Sequence, residues 1–360
     1  MPFDLASIYT VTRQARRIIV VDLGFLGDSV HLTPALWEIK RSYPQAQLHT
    51  LSATVGAQVL SLVPCVDRAW AFPLTPDSPP WWRHWDILTA LRRGRYDLAF
   101  NFSGSDRSIF ITAFLGAKWS VAAVGGRDHF WKTWLIPHWV PRRDRGLPVF
   151  EQRRQVLAAC GLELGSVQFC LQVPAEACQW AVANTPPKSV HLAINASTHL
   201  KEWPLDHWAQ LSNLLLRDPD LHLLATGSQR SREQERLARL SQAVNHPRLR
   251  VIREEITIPQ LTAMLSRCRA HVGGDSGVLH LAMAQGIPTV SIFRQYAGLP
   301  EWLPLGPAHR HLSAPCECVN QKDQPCKALD HARCLAQITP GAVAQAVMES
   351  LAEPASPPPA

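Results

Sequence analysis

RIIVVDLGFLGDSVHLTPALWEIKRSY, residues 17–43, decides the fold. Residues 17–23 form an apolar run suited to a strand, residues 24–28 (GFLGD) form a glycine-containing loop, and residues 29–43 carry a helical pattern. A strand that runs through a glycine turn into a helix opens a βα unit. Pro34 lies too deep to be the first residue of a helix starting at Asp28. The helix is therefore expected either to kink there or to restart with Thr33 as its cap.

Outward from this stretch the same alternation repeats. Strands are expected at 47–52, 68–73, 96–102 and 119–124, with helices at 54–63, 84–93, 107–115 and 150–161. Residues 184–189 (NTPPKS) read as a linker. A second series then follows, with strands at 190–194, 221–226, 249–252, 270–274 and 288–293 and helices at 204–217, 231–244, 258–268 and 276–286. Strands alternating with helices give parallel sheets covered on both faces. The chain thus reads as α/β, with one domain over 1–183 and another over 190–352. The last helix, 340–352, is expected to pack back toward the first domain, and the proline-rich tail 353–360 to be disordered.

Composition narrows the classes. The 360 residues are 46% hydrophobic and 18% charged, which supports two buried cores. The net charge of +7 comes without a long Lys/Arg run or a nucleic-acid motif, so no nucleic-acid partner is expected. An anionic membrane surface, a phosphorylated small molecule and a plain solubility charge all remain open. The N-terminus lacks an apolar signal core and no stretch reaches bilayer length, so a cytoplasmic protein is expected.

Several loops combine glycine with polar groups at expected strand ends, where ligands bind in open α/β sheets. Gly24 and Gly27 allow close backbone approach, and Asp28 either accepts a proton from a bound hydroxyl or caps the helix. In GGDSGVLHLA (273–282), Asp275, Ser276 and Gly277 open a helix whose free N–H groups suit an anion. His280 there is either a phosphate donor or a core histidine. In NASTHLKEWP (195–204), Ser197 and Thr198 precede Lys201, which can neutralise a departing diphosphate or simply lie on the surface. Gly227 ends another strand, and Glu233 beyond it binds ribose hydroxyls or is an ordinary helix charge. The pattern is not G-x-G-x-x-G and no acidic residue ends the second strand, which argues against a nicotinamide cofactor.

Cys316, Cys318, Cys326 and Cys334 lie within nineteen residues. Four thiols this close suggest a structural zinc or iron site, or reduced unligated thiols. Tryptophans gather at Trp81, Trp82 and Trp85 and at Trp131, Trp134 and Trp139, with Arg83, Arg127 and Lys132 nearby. Amphipathic aromatics among basic residues suit a membrane interface or a glycolipid, or else core packing.

Taken in order, RIIVVDLGFLGDSVHLTPAL, NFSGSDRSIFITAFLGAKWSVAAVG, KEWPLDHWAQL and VGGDSGVLHLAMAQGIPTVSIF resemble the signatures of the family 9 glycosyltransferases, the ADP-heptose lipopolysaccharide heptosyltransferases. The resemblance spans about residues 17–350. It implies a GT-B fold, two Rossmann-like domains facing across a cleft, and transfer with inversion at the anomeric carbon. Carried onto this chain, it makes Asp28 the catalytic base and Lys201 the group that stabilises the leaving diphosphate. It places Gly27, Ser197, Thr198, Gly227, Glu233, Asp275, Ser276, Gly277 and His280 at the donor, and Arg107 and Ser108 at the acceptor. The implied donor is a nucleotide-diphosphate sugar, ADP-heptose, and the implied acceptor a lipopolysaccharide core, glycolipid or other glycan. Peripheral contact with the inner face of the membrane is compatible with such an acceptor. No cofactor is expected for the chemistry itself.

Some relatives that glycosylate proteins hold a metal in a cysteine finger, so a protein-glycosylating enzyme with a structural metal is a second expectation. A non-catalytic nucleotide-sugar-binding protein is a third. Two departures stand out. The family often has a basic residue where this chain has Asp22. It also usually reads Phe-Gly-Pro-Thr after the last donor strand, where this chain reads Phe293, Arg294, Gln295 and Tyr296.

Overall fold

A computed structural model describes residues 4–74, 83–125, 130–141, 146–296, 298–316, 326, 329 and 331–352. Trp81, Trp82, Arg127, Cys318 and the tail 353–360 lie outside the described residues. The chain divides into two compact units, residues 1–172 and 173–360.

The first unit is a six-stranded parallel sheet built from β1 (Arg17–Val21), β2 (Gln47–Ala53), β3 (Arg68–Phe72), β4 (Leu98–Asn101), β5 (Trp119–Val124) and β6 (His138–Pro141). Their spatial order is β3-β2-β1-β4-β5-β6. The second unit repeats the plan with β7 (Ser189–Ala193), β8 (His222–Thr226), β9 (Leu249–Ile252), β10 (Ala270–Gly274), β11 (Thr289–Arg294) and β12 (His309–Ala314), in the order β12-β11-β10-β7-β8-β9. Both are Rossmann orders. The chain leaves the first strand in one direction and the fourth in the other, so a crevice opens at the carboxyl edge between β1 and β4 and again between β7 and β10. Strands β1, β4, β7 and β10 are buried at nearly every position, as expected of parallel strands covered on both faces.

Four features differ from the sequence reading. The helix Leu26–Ser42 runs unbroken through Pro34. Proline cannot donate to the Val30 carbonyl, and the Thr33 hydroxyl donates to it instead at 2.9 Å. The helix Ala175–Asn184 belongs to the second unit, because Ala177 and Ala181 pack against Ala263. The unit boundary therefore lies ahead of that helix and not at 184–189. The last helix, Pro340–Ala352, packs within the second unit, where Val343 and Val347 enter the core of the sheet. Trp203 locks the approach to that helix by donating its indole N–H to the Ile338 carbonyl at 3.0 Å. Finally, β6 and β12 add an edge strand to each sheet.

A buried ion pair ties the first unit together. Glu38, on the long first helix, accepts from Arg154 Nη2 at 2.9 Å and Nε at 3.2 Å, and from the Gly165 N–H at 3.0 Å. Arg154 also holds Glu151 at 2.6 Å. Glu38→Ala would leave the Arg154 guanidinium and the Gly165 N–H short of their acceptor in a dry site. We expect it to destabilise the first unit by about 3 kcal/mol. Urea unfolding followed on that unit checks this; a loss well under 1 kcal/mol would show the pair to be worth no more than a surface one.

Candidate active site

At the carboxyl end of β1 the chain presents two carboxylates to one guanidinium. Asp22 is buried; its Oδ1 accepts from the Gly24 N–H at 3.1 Å and its Oδ2 from Arg153 Nη2 at 2.6 Å. Arg153 reaches in from the helix Val149–Ala159 and also donates through Nη1 to the Asp28 carbonyl at 2.7 Å. Its Nη2 lies 3.4 Å from Asp28 Oδ1. Asp28 stands in the first turn of its helix, where Oδ2 accepts from the Phe25 N–H at 3.0 Å. The carboxylate thus satisfies the helix start and still keeps free lone pairs. Its side chain is 26% exposed, against 3% for Asp22, so Asp28 is the one of the two that a ligand can reach. A Cβ on Gly24 would fall 2.4 Å from the Asp28 Cβ, so only glycine lets the carboxylate lie over this loop. Gly27 is buried inside the helix and shapes the turn.

Across the crevice, Asn101 at the end of β4 orders the next loop. Its Oδ1 accepts from the Gly104 N–H at 2.9 Å and lies 3.3 Å from Ser108 Oγ. Ser108 is fully buried and donates to the Ser105 carbonyl at 2.8 Å. It braces the helix Asp106–Leu115 and does not present its hydroxyl to an acceptor, which corrects the expectation for that residue. Arg107 is exposed.

In the second unit the crevice between β7 and β10 brings the expected groups together. Lys201 Nζ lies 2.6 Å from Asp275 Oδ2, so the loops leaving the two strands are joined across the switch point. Ser276 precedes the helix Gly277–Ala284 yet makes no side-chain capping bond, and its buried hydroxyl has no hydrogen-bond partner among the described residues. The first N–H groups of that helix are left for a ligand. Ser197 and Thr198 are exposed on the loop after β7. That loop is held by Glu202, which is buried, accepts from the Ala196 N–H at 3.1 Å and pairs with Arg232 at 2.7 Å. Glu233 accepts from the Ser228 N–H at 2.8 Å and so fixes the Gly227–Ser228 turn. His280 is buried with its ring 5.5 Å from Trp302, on the inner side of the helix Gly277–Ala284.

Sequence reasoning missed three of these groups and marked a fourth, Tyr296, only as a departure from the family pattern. Arg153 and Glu202 sit among ordinary helix or loop charges, and nothing in their spacing marks them. Asn195, just past β7, has both amide atoms buried without a partner among the described residues. Tyr296 packs in the cluster of Leu279, Phe293 and Leu299. Burial pushes its phenol well above the usual range, and the Asp275 charge adds to this, which places the ring close to the donor loop.

Beneath that loop, His191 and His271 stack at 5.1 Å and share a hydrogen bond between their Nδ1 atoms at 2.9 Å. His191 Nε2 meets the Thr226 hydroxyl at 2.9 Å. One Nδ1 must donate and the other accept, so the accepting ring is neutral, and burial favours the neutral form of both, lowering His191 to about 3 and His271 well below its usual value. A Cβ on Gly273 would lie 2.6 Å from His271 Nε2, so glycine makes room for this ring.

Of the expected metal-binding thiols, Cys316 and Cys334 are hydrogen-bonded to each other. Cys326 is buried, in the small cluster of Leu200 against which Cys316 also packs. Among the described residues no group of three His, Cys, Asp or Glu side chains is placed to hold a metal. Cys318 lies outside those residues.

Two parallel sheets of this order, each with a polar crevice at its switch point, belong to the GT-B class of glycosyltransferases. The chain is a member of glycosyltransferase family 9 (heptosyltransferase), whose family model matches residues 84–331. It is 25% identical over 300 residues to lipopolysaccharide heptosyltransferase 1 of Pseudomonas aeruginosa, covering 77% of this chain and 78% of that protein. In structure it resembles ADP-heptose lipopolysaccharide heptosyltransferase II of E. coli, with a TM-score of 0.74 and 19% identity over 93% of this chain and 98% of that one. A family 9 glycosyltransferase from Veillonella parvula superposes with a TM-score of 0.79 at 17% identity, covering 98% of each chain. Among the described residues no helix is long and apolar enough to cross a membrane.

The histidine pair sets a pH dependence. With a native value near 3 against 6.5 in the unfolded chain, His191 takes up its proton only on unfolding as pH falls through that window. Stability is unaffected above about 6.5 and declines below it, by about 2 kcal/mol at pH 5 for this one group. We expect the urea midpoint of the second unit to fall between pH 7 and pH 5. The variant carrying His191→Gln and His271→Gln should show a flatter slope, whatever its absolute stability.

Proposed function

We propose that this glycosyltransferase moves a heptose from ADP-heptose, with inversion, to a hydroxyl of a lipopolysaccharide-core or other glycolipid acceptor. The observation that carries this reading is the Lys201–Asp275 pair at 2.6 Å beside an uncapped helix start, at the switch point of the second sheet. A cation, a carboxylate and free N–H groups at one strand edge suit a sugar nucleotide: the first and last favour its diphosphate, and Asp275 suits its hydroxyls. The relatives' descriptions as heptosyltransferases supply the choice of sugar.

The acceptor binds at the Asp28 edge of the first unit, with Arg107 available to an anionic group. As the acceptor oxygen attacks the anomeric carbon, its proton passes to Asp28, whose free lone pairs face outward from the Phe25 N–H and Arg153 bonds. The bond from the anomeric carbon to the phosphate oxygen breaks, and the diphosphate leaves with the electron pair. Lys201 and the helix beginning at Gly277 take up the growing charge. Chemistry requires both ligands to reach bonding distance with water excluded.

Thermal shift with ADP-, UDP-, GDP- and CMP-sugars identifies the donor. We expect ADP-heptose to give the largest shift. Asp28→Asn should keep that shift and lose transfer by about a thousandfold, within the range for a general base. Lys201→Ala should weaken both the shift and kcat. Normal turnover in Asp28→Asn would remove the carboxylate from the mechanism.

We further propose that Cys316, Cys318, Cys326 and Cys334 hold a structural zinc or iron. The contact of Cys316 with Cys334 supports it, and four soft thiolates suit either metal. The metal would cross-link the segment before the last helix and take no part in transfer. Elemental analysis should find about one metal per chain, lost in Cys334→Ser. A purified, denatured chain in which all nine thiols titrate, with no metal in the native protein, would refute this.

A further inference from the structure

The helix Phe130–Leu135 exposes its largest side chains. Phe130 is 85% and Trp134 82% accessible, and their i,i+4 spacing puts both on one face. The apolar surface continues onto the neighbouring helix, where Phe110, itself exposed, stacks on Trp131 at 4.9 Å between ring centres. Isolated surface hydrophobics need no explanation, but a contiguous aromatic face marks a contact surface. This one is held firmly. Lys132 turns inward, donating to the Gly104 carbonyl at 3.2 Å and pairing with Asp106 at 2.7 Å, while Ile136 is buried beneath the next turn. Those bonds fix the aromatic face beside the loop that follows β4, on the carboxyl edge that also carries Asp28.

Charge indicates the occupant. Residues 1–172 hold 19 Lys/Arg against 13 Asp/Glu, a net +6, whereas residues 173–360 hold 17 against 16, a net +1. Almost the whole excess lies in the unit with the aromatic face. Arg107 stands exposed one turn before Phe110 on the same helix. Trp and Phe settle at the boundary of headgroups and acyl chains, and cations are drawn to anionic headgroups. We propose that the face formed by Phe130, Trp134 and the Phe110–Trp131 stack docks the first unit on an anionic phospholipid bilayer. This deepens the glycolipid-acceptor reading and rests on it for why a bilayer lies at this edge.

The test is co-sedimentation of the full chain with vesicles of phosphatidylethanolamine and phosphatidylglycerol, against vesicles of phosphatidylcholine. We expect preference for the anionic vesicles, weakened by salt, and a drop in partitioning of about tenfold or more in the F130S/W134S double variant. The blue shift of Trp emission on vesicle binding should shrink in W134F. Equal binding to both vesicle types, or unchanged binding of the double variant, would overturn the proposal. So would a lipid-free oligomer that the double variant dissociates, since the face would then join two copies of the chain. The sugar-nucleotide thermal shift, measured on the same variant, confirms that it is folded. Transfer to a delipidated oligosaccharide acceptor tests the functional reading separately: it can fail while vesicle binding holds, and the reverse.

Discussion

Arg153 is the constraint on which the first unit's site depends. Its guanidinium is 8% exposed and lies between a buried carboxylate, Asp22, and a half-open one, Asp28. A buried cation with no acceptor is costly, so the two acids hold Arg153 as firmly as it holds them. The three groups come from the end of β1, the start of the following helix and a helix more than a hundred residues later. The site therefore exists only once the whole unit has closed. The short bond to Asp22 and the long one to Asp28 divide the work. Asp22 neutralises and orients the arginine, which leaves the Asp28 carboxylate ordered but only loosely paired, as its proposed role of proton acceptor requires. Where relatives often carry a cation at the strand end, this chain carries an acid and brings its cation from elsewhere.

The second unit solves a different problem with the same topology. Its proposed donor edge presents a helix start and a partly exposed lysine where the first unit presents a buried arginine. Lys201 is only partly buried and paired with Asp275, so an arriving diphosphate competes with a carboxylate for it. The framework beneath is rigid by comparison. Glu202, Arg232 and Arg236 tie the loop after β7 to the helix Ser231–Val244, with Arg236 donating to the Ile194 and Trp203 carbonyls. The neutral histidine pair keeps charge out of the core under the donor loop. Exposed groups that meet the ligand thus rest on buried groups that cannot move.

The βα alternation was legible because strands buried on both faces, such as β1, β4, β7 and β10, are continuous apolar runs, and the part-exposed edge strands β3 and β9 are still short β-rich segments between helices. The two that escaped, His138–Pro141 and His309–Ala314, are the outer strands of their sheets, partly exposed and interspersed with polar residues. The glycine loops were legible too, since glycine records close backbone approach in the sequence itself. Asp28, Lys201 and Asp275 followed from those loops and from family resemblance. Arg153, Glu202 and Asn195 did not, because their importance arises from partners distant in sequence or from the lack of one. Ser108 failed for the complementary reason: a hydroxyl in a promising loop was already used by the fold. The unit boundary was misread because NTPPKS looks like a linker, whereas the alanine packing of Ala175–Asn184 is visible only in three dimensions.

The groups the fold leaves unsatisfied argue for where the ligand goes. A buried amide or hydroxyl without a partner costs about 1–3 kcal/mol and persists where something else supplies the partner. Among the described residues Asn195 and Ser276 are two such groups, one past β7 and one past β10, on either side of the crevice that Lys201 and Asp275 bridge. His271 is a third, one layer below, its Nε2 aimed at the space that Gly273 keeps open. Tyr296 closes the same region where relatives usually carry Gly-Pro-Thr. A phenol that cannot ionise there, held beside Asp275, presents a neutral donor and a flat ring to whatever enters. The amide and hydroxyl left open favour a polar ligand in the proposed site, and Tyr296, packed against Leu279 and Phe293 at its edge, is the side chain whose substitution would test what that ligand is.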